Sequence, residues 1–316
     1  MRLVIDAIER RGRVLSDAAV DVLRLVDGEG DGLPGVVLDR YGAYARLELW
    51  STSWPDDDDR SDLGLSGLLT PRGVRGAVGV LRTAAGRSEL RVLFGDVPEA
   101  HVVHEEGLRY LVRVGDDKAV GAGVFVDQRL GRRAVRAHAH GRVVVNLFAH
   151  AGAFGVAAAV GGAARVDHVD MAKKCAPWAA TNLALNGLDP RGHRFIVDDA
   201  LHVLARLSRR PHCAGVIVCD PPTQAVRLDG SRFVLRESLE ALAEQAASAL
   251  EPDGLLVLSC NDRDVDVDAV LAAAHTGATA ARRHVKRLVE LPLPQDVTSK
   301  DAPRGRPMRG ALLTVH

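Results

Sequence analysis

Four short apolar runs in this chain end on residues able to hold a polar ligand, and a helical stretch separates each run from the next. Val143-Val144-Val145 leads into Asn146-Leu147-Phe148 and a small-residue turn in which Gly152 stands where a helix begins. Glycine there lets a ligand approach the backbone and meet the N–H groups of a helix start, the alternative being a glycine kept for packing. The second run, Val166–Asp170, ends on a carboxylate suited to accept hydrogen bonds from ribose hydroxyls. The third, Phe195-Ile196-Val197, delivers Asp198 and Asp199, which could receive an exocyclic amine. The fourth, Gly215–Cys219, delivers Asp220 and the rigid pair Pro221-Pro222. In open α/β sheets ligands bind at the carboxyl ends of the strands, so these tips predict one shared crevice. The three-glycine spacing of a dinucleotide fingerprint is absent.

The elements that position these tips read as alternating strand and helix, which implies a parallel, doubly covered sheet. Within it, Asn146-Leu147-Phe148 with Gly152 and Phe154, then Asp170, then Asn182 and Asn186-Gly187, then Asp220-Pro221-Pro222, then Ser259-Cys260-Asn261 resembles a class I S-adenosylmethionine-dependent methyltransferase. The likeness is to the bacterial large-subunit rRNA (cytosine-C5) methyltransferase I family. Upstream, Phe125-Val126-Asp127-Gln128-Arg129 is similar to that family's Phe-Leu-Asp-Gln-Arg stretch. The resemblance covers most of Asp21 to Leu258.

It implies a Rossmann-like class I methyltransferase sheet with a smaller N-terminal β-rich α+β domain, and S-adenosyl-L-methionine as cofactor. Phe125, Gln128, Arg129, Asn146, Phe148, Gly152, Asp170, Asp199 and Asp220 are then the expected cofactor-binding residues. Cys260 and Asp220 are the expected catalytic pair. Cytosine carbon 5 is not nucleophilic, so a thiolate must first add to carbon 6, and Cys260 at a strand end is the candidate, with Asp220 on the pyrimidine edge. Cys219, inside a strand, reads as core.

The sequence also departs from the family. Its Lys-Thr-Gly is Gly121-Ala122-Gly123 here, its Tyr-Thr-Gly is His150-Ala151-Gly152, and the aromatic expected after the diproline is replaced by Thr223-Gln224. An aromatic at that place stacks on a target base. The family's leading small RNA-binding domain is expected to be missing.

Composition bounds the reading. With 316 residues, 47% hydrophobic and 4% aromatic, the chain can bury two cores. Lys+Arg and Asp+Glu are 41 each, so no overall positive field favours a polyanion, though a local basic face remains compatible. Four cysteines without Cys-x-x-Cys spacing predict no metal site and reduced thiols. No apolar run is long enough to cross a membrane, and a cytoplasmic protein is expected.

Residues 1–96 read as an accessory domain, a helix followed by glycine-punctuated strands, that could contact RNA. Residues 97–316 read as the methyltransferase domain, with a break at Gly95–Pro98 and a hairpin over Val102–Val114. Asp56-Asp57-Asp58-Asp59 reads as a solvated loop, and the Pro/Arg-rich stretch Gln295–Arg309 as another. Three functions follow: an rRNA cytosine-C5 methyltransferase, a methyltransferase with a diverged acceptor (a small molecule or another base), or a silent cofactor-binding module. The partners considered are rRNA and a second copy of the chain in a homodimer.

Overall fold

The computed structural model describes residues 1–15, 17, 19–54, 63–83, 86–116, 121–210, 212–262, 264–298 and 308–316. The acidic block at 56–59 and most of the Pro/Arg-rich stretch lie outside them.

Short strands punctuated by glycine build the first of two units, which comprises Met1–Asp127 with Pro294–Arg306. Its elements are α1 (Arg2–Arg10), α2 (Gly12–Leu15), β1 (Val22–Asp27), β2 (Val36–Tyr41), β3 (Tyr44–Trp50), α3 (Leu65–Leu69), β4 (Gly76–Arg82), β5 (Ser88–Phe94), β6 (His101–Glu105) and β7 (Leu108–Val112). Strands β1 to β5 form one sheet in sequence order, antiparallel except for the parallel pair β3 and β4. Ala7 and Ile8 of α1 pack with Leu25, Leu38, Leu47 and Leu81 of the strands and Leu69 of α3. A separate hairpin, β6 with β7, joins this unit because Asp21 N–H donates to the His104 carbonyl and Val20 bridges Glu105.

The second unit comprises Gln128–Leu293 with Pro307–His316. It contains α4 (Arg129–His138), β8 (Val143–Leu147), α5 (Ala153–Val160), β9 (Arg165–Asp170), α6 (Cys175–Leu185), β10 (Arg194–Val197), α7 (Ala200–Leu207), β11 (Ala214–Cys219), β12 (Gln224–Val226), β13 (Arg232–Val234), α8 (Leu235–Ala249), β14 (Leu250–Cys260), α9 (Val267–Ala280), β15 (Val285–Glu290) and β16 (Arg309–Val315). Seven strands form one sheet in the order β10-β9-β8-β11-β14-β16-β15, parallel except that β16 runs antiparallel to both of its neighbours. Strand order reverses between β8 and β11, and the crevice outside their carboxyl ends is where such a sheet takes a ligand. Val216, Ile217, Val218 and Cys219 are all buried, as a central strand covered on both faces requires.

Two features differ from the sequence reading. The compact units divide at Asp127 and Gln128, not at 96/97, because the β6–β7 hairpin is bonded to the segment before β1. The diproline is followed by the small hairpin β12–β13, which the sequence reading omitted, its strands being only three residues each.

Candidate active site

The carboxyl edge of the seven-stranded sheet gathers most of the expected residues. Asp220 follows β11, Ser259 lies near the end of β14, and Gln128 immediately precedes α4. The Gln128 amide nitrogen donates to Asp220 Oδ1 at 2.8 Å and to Ser259 Oγ at 2.9 Å, while its side chain is only 3% exposed as a residue. One carboxamide thus ties two strand ends together. Its own oxygen is buried without a hydrogen-bond partner among the described residues, and so is the Asn146 amide nitrogen near the end of β8. Leaving such groups unpaired costs about 1–3 kcal/mol each, which marks them as ligand-facing candidates.

The loop after β8 is held in an unusual conformation. Phe148 and His150 have φ of 54° and 48°, and Gly152 has 79°, so three alternate residues occupy the left-handed region. Two side chains fix this loop. Asp170 accepts the His150 N–H at 2.8 Å and the Ala172 N–H at 2.8 Å, and Asn182 of α6 donates to the Ala151 carbonyl at 2.8 Å. Asp170 therefore stands at the strand tip as expected, shaped by backbone amides. It lines a small pocket with Ala149, His150, His168, Cys175, Ile196 and Val197. Burial pushes the Cys175 thiol up to about 12, with the Asp170 carboxylate adding to the shift.

Gly152 is placed differently from the ligand-approach reading. A Cβ on it would lie 2.6 Å from Ala179 Cβ and 3.2 Å from His168 Cε1, and its N–H already donates to the Ala149 carbonyl. Helix packing explains this glycine. Asp199 also has local work: it caps α7 by accepting the Leu201 N–H at 2.8 Å and pairs with Arg227 Nε at 2.7 Å. Asp198 accepts the Asp199 N–H and pairs with Arg206. Phe148 is half-buried 6.2 Å from the Phe233 ring, and Arg129 is a buried first residue of α4. Phe125 falls within the first unit, its ring over Gly121.

Cys260 is the main departure. Side chains alternate along a strand, so where Ser259 faces Gln128, Cys260 points the other way, into the core cluster shared with Leu256 and Leu258. Its exposure is 0%, and burial pushes the thiol up. Cys219 is buried as expected, its thiol pushed up to about 12. The role of Ser259 was missed, although the parity of the strand around Cys260 already contained it.

Helices flanking a mostly parallel sheet of this order, with polar groups at its switch point, define a Rossmann-like α/β fold. The family described as S-adenosylmethionine-dependent methyltransferase matches residues 79–304, and the chain belongs to it. The chain is 38% identical over 176 residues to the Ribosomal RNA large subunit methyltransferase K/L of Methylococcus capsulatus, covering 55% of this chain and 23% of that protein. It is 32% identical over 247 residues to the Ribosomal RNA large subunit methyltransferase I of Klebsiella pneumoniae strain 342, covering 77% of this chain and 61% of that one. The chain thus spans less than two thirds of the length of these relatives. The crystal structure of SMU.776 complexed with SAH superimposes with a TM-score of 0.81 at 23% identity, over 99% of this chain and 80% of that chain. A SAM-dependent methyltransferase from Agrobacterium tumefaciens gives 0.67 at 22%, over 95% and 91%. At these identities the two structures share the fold.

The family cofactor fits the residues present. A buried amide donor on Asn146 and a buried amide acceptor on Gln128 suit the polar end of S-adenosylmethionine, and the Asp170 carboxylate suits a ribose.

Proposed function

We propose that this chain transfers the methyl group of S-adenosylmethionine to a nucleobase of large-subunit rRNA. The observation that carries the reading is the joining of Asp220, Ser259 and Gln128 at the switch point of a methyltransferase sheet. The names of the relatives support rRNA as the acceptor. Among the described residues no helix is long and apolar enough to cross a membrane. Residues 1–96, within the first unit, are read as the accessory part that could contact RNA.

The cofactor supplies an electrophilic methyl on a sulfonium. Asn146 and Gln128 would bind its polar end, and Asp170 would accept from its ribose. Asp220, oriented by the Gln128 amide, would accept a hydrogen bond from the acceptor base, while Pro221-Pro222 keep the backbone beneath that base rigid. The finer reading is cytosine carbon 5. There a thiolate must add to carbon 6 to make carbon 5 nucleophilic, and Cys260 would supply it only by turning out of the core in which it is buried. After methylation, loss of the carbon 5 proton and expulsion of the thiolate restore the ring.

One observation favours a second reading, an exocyclic amine as acceptor. Cys260 is wholly buried, whereas an amine needs no thiolate, only a carboxylate such as Asp220 to accept its N–H. Methylation of an rRNA transcript with labelled cofactor, followed by nucleoside analysis, tests both. Label in 5-methylcytidine, with a covalent adduct on RNA containing 5-fluorocytosine, supports carbon 5. Label in an N-methylated nucleoside with no adduct supports the amine. Cofactor binding without label in RNA rejects an RNA acceptor.

A further inference from the structure

Immediately after the diproline, the hairpin of β12 and β13 holds the two most exposed large apolar side chains identified among the described residues, Val226 at 73% and Leu228 at 63%. Val226 ends β12 and Leu228 stands in the turn that follows it, closed by the Gly230 N–H on the Arg227 carbonyl, so both lie at the free end of the hairpin. Isolated apolar groups on a surface need no explanation, but this pair sits on an arm that is fixed by four separate interactions. Thr223 Oγ1 donates to Asn261 Oδ1 at 2.8 Å, tying the start of the arm to the end of β14. Arg227 Nε pairs with the buried Asp199 at 2.7 Å, tying its middle to the start of α7. Phe233 is buried with its ring 6.2 Å from Phe148, and the Leu235 N–H closes onto the Thr223 carbonyl at 3.0 Å. Across the ladder the Arg232 guanidinium bonds to the Gln224 amide oxygen, leaving the hairpin's exposed cation on a neutral partner. Asp229 is turned back on its own turn, accepting from the Ser231 N–H and hydroxyl.

We infer that this hairpin is the element that grips the RNA beside the target base, with Val226 and Leu228 packing on an unstacked neighbouring base and Arg232 against the adjoining phosphate. The partner follows from position and chemistry. The arm begins three residues after Asp220, so whatever base is presented to that carboxylate passes beside it. Sequence-specific RNA readers splay out bases and stack them on aromatic rings or arginine guanidinium planes, and in other nucleic-acid complexes aliphatic side chains wedge against unstacked bases. The position directly after the prolines carries Thr223-Gln224 and no aromatic ring, and the exposed pair supplies an apolar face a few residues further on. This rests on the proposed RNA acceptor and adds to it the surface that recognises the strand.

The test compares wild type with the double variant Val226→Ser, Leu228→Ser and with the apolar control Val226→Ile, Leu228→Met, using a large-subunit rRNA transcript and labelled cofactor. The polar variant is expected to raise KM for the transcript tenfold or more while kcat and cofactor affinity by calorimetry stay within twofold, and the apolar control is expected to keep the wild-type KM. Both variants alter exposed side chains, and thermal unfolding checks that each remains folded. An unchanged KM in the polar variant overturns the hairpin's role while leaving methyl transfer to RNA intact. So does a variant that loses only self-association in sedimentation, which would make this face a contact between copies. A wild type that binds cofactor but never labels the transcript removes the RNA acceptor and the hairpin's role together.

Discussion

Because the Gln128 amide donates to Asp220 and Ser259 at once, its replacement separates a positioning role from a purely structural one. Gln128→Glu puts a second carboxylate where an N–H stood 2.8 Å from Asp220, and two carboxylates so close share a proton with one of them shifted up. At acidic pH the shared proton restores a donor to Asp220. We therefore expect kcat/KM of this variant to fall as pH rises through the raised carboxyl range, where the wild type shows no such loss. Gln128→Met, similar in volume but without a donor, should be slow at every pH, and an identical pH profile for Gln128→Glu and wild type would reject the bridge. Cys260 gives the converse sign. Burial holds its thiol above the ordinary range, so a reaction that needs its thiolate should accelerate about tenfold per pH unit below that raised value. An amine acceptor gives no such rise, and Cys260→Ala would retain transfer.

At the scale of the elements, α5 and α6 lie so close to β9 that glycine is required beneath them. A Cβ on Gly155 would lie 2.1 Å from His168 Cε1, and His168 itself stacks on Phe195 with ring centroids 5.1 Å apart. Gly155→Ala should therefore cost about 1–3 kcal/mol, measurable by urea unfolding, with much of the loss recovered when His168→Ala is added. Burial also holds the His168 imidazole neutral down to about pH 3. In the unfolded chain it takes a proton near pH 6.5, so stability should fall by up to about 1.4 kcal/mol per pH unit as pH drops from 6.5 toward 3. His168→Phe should flatten that part of the stability curve, and an unchanged slope would show that other groups set it. Much of this packing was legible in the sequence, since β8, β9 and β11 read as apolar runs with polar tips and the helices between them as small-residue stretches. Less legible was the use of those tips. Asp199 is a helix cap and an ion-pair partner, Gly152 makes room for Ala179, and Cys260 differs from Ser259 by one step of strand parity. The Arg227 pairing and the Ala179 contact depend on partners distant in the chain, which no local pattern encodes, whereas the cap of α7 and the strand parity are local.

On the scale of the whole molecule, the family match at residues 79–304 begins inside β4 of the first unit and ends in the segment that returns to that unit after β15. The returning segment is bonded into the first unit by buried groups. Asp296 Oδ2 accepts the Arg24 N–H at 2.9 Å and its carbonyl accepts from Arg11 Nε at 3.1 Å, while Arg11 Nη2 donates to Thr298 Oγ1 at 3.2 Å. Arg11 also pairs with the buried Asp31 at 2.7 Å, so the segment closes a cluster that α1 and the turn after β1 begin. A fragment ending at residue 127 would leave the Arg24 N–H without its side-chain acceptor in a buried place, a loss of about 1–3 kcal/mol. The same cost is expected in the full chain for Asp296→Ala, and a smaller one for Asp296→Asn, which keeps an oxygen in reach of the Arg24 N–H. Trp50 and Trp54 lie in the first unit and Trp178 in the second, so fluorescence in a Trp178→Phe background follows the first unit alone during urea unfolding. The Asp296→Ala midpoint should fall below that of Asp296→Asn, which in turn should fall below the parent. Equal midpoints for all three would mean that the returning segment contributes nothing to the first unit's stability. The boundary would then be set by β6 and β7 alone.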